Sequence, residues 1–209
     1  MTRPRPLPRS FHSQPTLSLA RALIGARLVR ILDGGRLSGW ITETEAYIGE
    51  EDLACHARHG LTKRTRVMYG EPGHAYVYFT YGNHWMLNVV AEPEGRPAAV
   101  LIRALQPVEG MERMLERRGG RDTFGPGKLC QAMGIDGLLN GADLTQTAAG
   151  LWIEPGLPVP DASVTIGPRV GLNTTPEPWL SMPWRLLVKG WRLEGLSKSE
   201  DPRGSPGAA

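Results

Sequence analysis

The chain has 209 residues, with 24 Lys plus Arg against 21 Asp plus Glu and a formal net charge of +3, a balance that neither demands nor excludes a nucleic-acid partner. With 41% hydrophobic residues it is long enough to bury a sizeable core as one domain, and no run of about 18 apolar residues offers a membrane span. Its 26 glycines and 18 prolines follow no fixed period, which excludes a coiled coil, a helical solenoid and collagen and favours a loop-rich fold of short strands.

Residues 1–15 carry three Arg and four Pro. They read as a disordered basic arm, without the apolar segment of a secretory signal. Leu17–Ala26 (LSLARALIGA) has the apolar spacing of a short helix. Ala26–Leu32 and Leu37–Ala46 read as strands joined through Asp33-Gly34-Gly35, a hairpin turn signal. Tyr76–Thr80 and Trp85–Val90 are the clearest strand pair, rich in aromatic and β-branched residues and linked by Tyr81-Gly82-Asn83-His84. Ala98–Leu105 is a further strand, Val108–Arg118 an amphipathic helix, and Lys128–Met133 another helix, started by Gly125-Pro126-Gly127. Leu151–Arg192 alternates short strands with Pro-rich loops, and residues 196–209 read as a frayed tail. No linker or repeat divides residues 16–195, so the expectation is one α+β domain with mostly antiparallel strands. The two cysteines, Cys55 and Cys130, are too few for a disulfide scaffold and suit a reducing cytoplasm.

The charges are unevenly distributed. Residues 1–36 hold seven Arg and one Asp, residues 37–57 hold five acids and no Lys or Arg, and residues 58–66 supply Arg58, Lys63, Arg64 and Arg66. An acidic centre flanked by basic surface gives this alternation, as does chance on a solvated surface. The acidic stretch, ITETEAYIGEEDLACHARHG, concentrates reactive groups. Glu43 and Glu45 are two apart, so on a strand they share a face, and Tyr47 continues it. With His56 and His59 they suit an acid–base site. Cys55, His56 and His59 also suit a metal, but no CxxC follows and HxxH lacks the helical Glu of zincins, so no metal is expected.

In AYVYFTYGNHWMLN, Tyr76 and Tyr78 share a strand face, where aromatics usually belong to a core. Tyr81 falls at the turn, where a large ring loses its burial unless something external packs on it, and nucleobases are one such partner. Arg103, inside the apolar VLIRAL, needs a carboxylate or a phosphate to offset its desolvation. Asn88, inside MLNVV, needs its amide satisfied by backbone or ligand. Gly127 and Lys128 open a helix whose N–H groups suit a phosphate, without the pattern of a nucleoside triphosphate site.

Five runs in this order, TETEAYIG, Asp52-Leu53-Ala54-Cys55-His56, PGHAYVYFTYG with Asn88 after it, LIRALQPVEG and GPGKLCQAMGI, give the chain its resemblance to the alkyladenine (3-methyladenine) DNA glycosylases, over about Ser18 to Arg192. The resemblance implies a single compact α+β domain with a curved, mainly antiparallel sheet, flanking helices and a protruding, DNA-inserting β-hairpin. It implies Glu45 as the general base that activates water, Arg103 as the arginine that helps hold this water and meets the flipped nucleotide's phosphate, and the Val170 carbonyl as the third part of the water site. Tyr47 and His56 on one side and Tyr78 on the other are the implied walls of a base pocket. Backbone groups at Ala54 and His56 would read the base edge, Asn88 would resist the 2-amino group of guanine, and Leu101 completes the lining. Tyr81 matches the tyrosine that fills the gap left by the flipped base. Lys63, Arg64, Arg66, Gly127 and Lys128 are the candidates for backbone phosphates.

The implied activity is a monofunctional hydrolase of base excision repair. It would release 3-methyladenine and 7-methylguanine, with ethenoadenine and hypoxanthine as further candidates, and leave an abasic site. No cofactor is implied, and the implied partner is double-stranded DNA bearing damaged purines, met by a monomer in the bacterial cytoplasm or a eukaryotic nucleus. A cationic alkylated purine stacks well on electron-rich rings and leaves readily, so one carboxylate and an oriented water suffice. A non-catalytic damaged-base binder is the alternative, although pure binding needs no buried base. An acyl-transfer domain on a similar sheet lacks any nucleophile motif here. Asn83 and Met86 at the hairpin depart from the residues common in this family, apolar and Cys respectively.

Overall fold

The computed structural model describes residues 5–80 and 82–190. Strands β1 (Arg27–Leu32) and β2 (Gly35–Ile48) form a hairpin closed by Asp33 and Gly34, both with positive φ (48° and 72°), the backbone that matches the right-handed twist of its strands. They are followed by β3 (Ala75–Thr80), β4 (His84–Val90), β5 (Ala98–Glu109), β6 (Leu151–Glu154), β7 (Val164–Gly167) and β8 (Arg185–Val188). Among the described residues these eight make one sheet, in the order β3-β4-β5-β2-β1-β6, with β8 pairing to both β2 and β7. Every pairing is antiparallel. The sheet curves into a half-barrel, and the β2–β5 ladder shifts register at Ser38/Gly39, Ile41/Glu43 and Glu43/Thr44, irregularities of the kind that bend strands and re-aim side chains.

Helices α2 (Thr16–Leu23) and α4 (Pro126–Met133) cover one face. Leu19 and Leu23 of α2 and Leu129, Cys130 and Met133 of α4 share a buried core with Val77, Leu87, Val89, Val100 and Ile102 of the strands. Because side chains alternate along a strand, the intervening Tyr76, Tyr78, Met86, Asn88, Leu101 and Arg103 must point to the opposite, concave face. The ladder carries this alignment across the sheet, pairing Tyr76 with Asn88, Asn88 with Leu101, Leu101 with Glu45, and Glu45 with Arg185.

Two expectations are corrected. Residues 5–15 are docked, not an unstructured arm. Within them lies a short helix, α1 (Arg9–His12), in which His12 is fully buried, and Leu7 N–H bonds the Ile153 carbonyl. Arg9 bonds the Pro72 carbonyl at 2.6 Å and Asp143 at 2.8 Å. An Arg that reads as solvent-loving in a Pro-rich run is here fixed by partners more than 60 residues away, and the His beside it is buried. The helix expected over Val108–Arg118 is shorter, α3 (Met111–Arg117). Before it, β5 continues to Glu109 because the start of β2 offers a ladder partner, and Gly110 at φ 71° breaks the strand. The expected domain limit at 195 and the expected tail lie outside the described residues, as does Tyr81.

Candidate active site

Glu45 sits midway along the concave face with its side chain at 0% exposure. Its Oε1 accepts the backbone N–H of Val170 at 2.7 Å, and its Oε2 accepts the Tyr47 hydroxyl at 2.9 Å and an Arg103 N–H at 3.3 Å. Three donors use three of the roughly four lone-pair positions of a carboxylate, which leaves one for a water. Burial pushes the Glu45 carboxyl above the usual carboxylate range, against the pull of Arg103, the Val170 amide and Tyr47. The group is therefore a stronger base than a solvated glutamate, while the Arg103 cation favours its ionised form.

Arg103 is the pivot of this arrangement. Its Nε donates to Glu43 Oε1 at 2.8 Å, and the same oxygen accepts Arg185 Nε at 2.6 Å. Burial works against the Arg103 charge, but Glu45 and Glu43 outweigh it and raise the pKa. Of the two partners open to a strand-interior Arg, the carboxylates are the ones the fold supplies. Tyr47 is held protonated, its phenol raised well above the usual range by burial and by Glu45, so it acts as a donor.

A cavity of about 310 Å³ opens beside this cluster. It is lined by every residue expected of the pocket: Tyr47, Ala54, His56, Tyr78, Asn88 and Leu101, together with Arg103 and Val170. Glu45 lies behind this lining and is bonded to three residues that form it. His56 and Tyr78 meet edge to face at 4.5 Å, too close to admit a base between them, so they share one wall and are not on opposite sides as expected; His56 Nδ1 lies 2.9 Å from the Tyr76 hydroxyl. Burial and the nearby Arg64 and Arg58 push His56 down to about 4, so the ring is neutral at neutral pH. Asn88, nearly fully buried, spends an amide hydrogen on the Tyr76 carbonyl at 3.0 Å.

Of the basic candidates, Arg64 has a contact with the cavity lining. Lys63, Arg64 and Arg66 are exposed, with the Arg64 guanidinium 5.0 Å over the Tyr78 ring. Lys128 is exposed and pairs with Asp122 at 3.2 Å. Gly127 lets the start of α4 approach β4, since a Cβ there would lie 2.8 Å from the His84 ring. The residues considered for a metal are engaged otherwise: the Cys55 thiol, raised to about 12 by burial, accepts the Ala57 N–H at 3.4 Å. Among the described residues no group of three His, Cys, Asp or Glu could hold an ion.

Sequence reasoning passed over Met68, Met86 and Ala99 in the cavity wall, and Tyr76 as a partner of His56. Strand parity could have found Met86 and Ala99, which fall in step with Asn88 and Leu101. It also passed over the Asp52–Arg169 ion pair behind Tyr47, for which no local signal exists.

Known proteins resemble the chain over nearly its whole described length. The family model for methylpurine-DNA glycosylase (MPG) matches residues 10–192. The chain is 50% identical over 188 residues to a protein of Methanocella arvoryzae, with 88% of this chain and 92% of the relative covered. It is 48% identical over 196 residues to one of Myxococcus xanthus, with 94% and 95% covered, and 46% identical over 183 residues to one of Chlorobaculum parvum, with 85% of each covered. All three carry the name "Putative 3-methyladenine DNA glycosylase". With the family model spanning nearly the whole described chain, the protein belongs to the methylpurine-DNA glycosylase (MPG) family of DNA-repair N-glycosylases, hydrolases that act on methylated purines.

Proposed function

We propose that the protein turns a methylated purine, 3-methyladenine foremost, out of duplex DNA into the Tyr47–His56–Tyr78 cavity and hydrolyses its N-glycosidic bond. The observation that carries this reading is the buried, three-donor Glu45 carboxylate directly behind the cavity lining, bonded to three residues that form it. Glu45 takes a proton from a water whose oxygen bonds to C1′ of the deoxyribose as the bond from C1′ to the purine nitrogen breaks. The bonding pair leaves with the base, and because the alkylated purine already carries a positive charge it departs neutral, without an acid. Among the described residues no lysine bonds Glu45, which supports an abasic-site product over a Schiff-base lyase.

The aromatic walls support the substrate class. A cationic base between Tyr47, His56 and Tyr78 gains attraction to electron-rich rings, about 0.5–2 kcal/mol per face. A neutral His56 adds no repulsion. Extrusion costs a few kcal/mol and least for damaged or mismatched pairs, which supplies part of the selectivity. Val170 is kept in the water site through its amide, the contact it makes with Glu45, where the family resemblance assigned its carbonyl. Tyr81 remains the proposed wedge on that resemblance. Exposed Lys63, Arg64, Arg66 and Lys128, with the N–H groups around Gly127, are the proposed phosphate contacts, and a monomer suffices.

The test is Glu45→Gln on duplexes carrying 3-methyladenine or 7-methylguanine. Lesion binding persists while base release, read as alkali-labile sites, falls by at least about a thousandfold, a loss expected for the reaction's only base. Undiminished release removes Glu45 from the chemistry, whereas lesion binding without any release by the unaltered protein would favour the non-catalytic damaged-base binder.

A further inference from the structure

Arg169 and Asp52 are both at 0% side-chain exposure, and each bonds more than the other. Arg169 donates from one terminal nitrogen to Asp52 Oδ2 at 2.5 Å and to the Ala46 carbonyl at 3.0 Å. From the other it reaches Asp52 Oδ1 at 2.9 Å and the Trp179 carbonyl at 3.2 Å. The two faces of its guanidinium are covered by Tyr47, at 4.8 Å, and Trp184, at 4.9 Å. Asp52 in turn accepts the N–H groups of Ile48 and Ala54, at 3.2 and 3.0 Å.

These bonds converge on the pieces of the reaction centre. Ala46 and Ile48 flank Tyr47 on β2, Ala54 begins the wall that His56 continues, and Arg169 is the residue before Val170. The stretch 168–172 has no regular secondary structure, and Val170 is 47% exposed. Packing of its own side chain therefore does not place the Val170 amide, whereas the buried residue beside it is anchored by four hydrogen bonds.

We propose that Asp52 and Arg169 are positioning residues of the reaction centre, holding the Val170 N–H on Glu45 and the Tyr47 ring in the cavity wall. The proposal rests on the reading of Glu45 as the base. The groups that face Glu45 are Tyr47 and Glu43 from its own strand, Arg103 from β5, the Val170 amide, and Arg185 of β8 through Glu43. Of these, the amide and the Tyr47 hydroxyl both favour the ionised carboxylate, and both hang on Arg169. Loosening the pair makes Glu45 harder to ionise, so the rate falls most where protons compete, on the acid side of the pH profile.

The experiment measures single-turnover release of 3-methyladenine from duplex DNA across pH for Arg169→Lys, which keeps a cation but neither the fork nor the stacking plane. Lesion binding and thermal unfolding are recorded alongside. The expected result is a loss of at least about tenfold on the acid side, the worth of one hydrogen bond to a charged group, recovered as pH rises, with lesion binding unchanged within about twofold. Val170→Pro deletes the amide hydrogen and keeps both members of the ion pair in the chain, while its ring also constrains the backbone at 169 and 170. It reproduces the acid-side loss, and the double variant loses no more than either alone, because both act through one bond. A purely structural role would lower the melting temperature and leave the shape of the profile unmoved, which overturns the proposal. So do multiplying effects in the double variant. Should Arg169→Lys fail to fold, an unshifted profile in Val170→Pro overturns it alone. An active Glu45→Gln would refute the base reading itself, whereas an inactive Glu45→Gln with unshifted Arg169→Lys and Val170→Pro profiles refutes only the positioning role.

Discussion

Replacing Arg103 by methionine keeps much of the aliphatic length and removes the cation that faces both glutamates. At 3.3 Å from Glu45, a unit-charge pair in an effective dielectric of about 20 is worth about 5 kcal/mol gross. Glu43 retains Arg185, at 2.6 Å, as a second cation, whereas Glu45 has no other ion pair among the described residues. Methionine therefore leaves a fully buried carboxylate with two neutral donors, Tyr47 and the Val170 amide. Breaking one side of a buried pair costs about 3–5 kcal/mol as long as the remaining charge persists, and Glu45 escapes part of that cost by taking a proton. Two signatures follow. Urea unfolding shows a loss of about 3 kcal/mol at pH 8 that shrinks as pH falls, because a protonated Glu45 no longer needs the cation. Single-turnover base release at pH 6.5 drops by at least about a hundredfold and recovers as pH rises, since only the ionised carboxylate can take the proton of water. A variant that loses under about 1 kcal/mol at pH 8, or whose pH profile keeps the wild-type shape, would refute the claim that Arg103 keeps Glu45 charged.

Tyr47→Phe keeps the ring over Arg169 and deletes the hydroxyl that donates to Glu45, so release slows at least about tenfold, the worth of one hydrogen bond to a charged group, with lesion binding unchanged; a binding loss instead would make the hydroxyl a substrate contact. Burial, with Arg9 beside it, pushes fully buried His12 down to about 4 from an unfolded value of 6.5. The unfolded chain then binds the extra proton between these values, so the His12 contribution to stability is whole above pH 6.5, falls as pH drops, and levels off below about 4, by roughly 3 kcal/mol in all. His12→Leu removes that slope in urea titrations, leaving the part due to His56, which is lowered in the same sense; an unchanged slope would place the titrating group elsewhere. Tyr81→Ser weakens capture of a lesion in duplex DNA more than in a single strand, and equal effects on both would dismiss the wedge.

Much of the site was legible because strand parity is a local rule. TETEAY puts Glu43, Glu45 and Tyr47 on one side, and YVYF does the same for Tyr76 and Tyr78. The structure keeps both groupings, with Arg103 bridging the two glutamates and Tyr76 and Tyr78 in the same cavity wall. The hairpin at Asp33-Gly34 was legible for the same kind of reason, since its positive φ angles demand turn residues. The end of β5 was not: Val108 and Glu109 suit a helix pattern, but a free ladder edge on β2 claimed them. The docking of residues 5–15 was hidden too, because the partners of Arg9 and Leu7 lie far along the chain.

By itself, then, the sequence determined which residue types share a strand face, and its family motifs pointed to the carboxylate at the centre. Which strands adjoin, and therefore that Tyr76, Asn88, Leu101 and Glu45 form one row, depended on register across the sheet. That Glu45 is a buried carboxylate held by an amide 125 residues away, and that a hidden Asp52–Arg169 pair frames it, depended on tertiary closure. The physical reason is range: side-chain alternation is set by neighbouring backbone dihedrals, whereas desolvation and charge pairing are set by whatever the folded chain brings alongside.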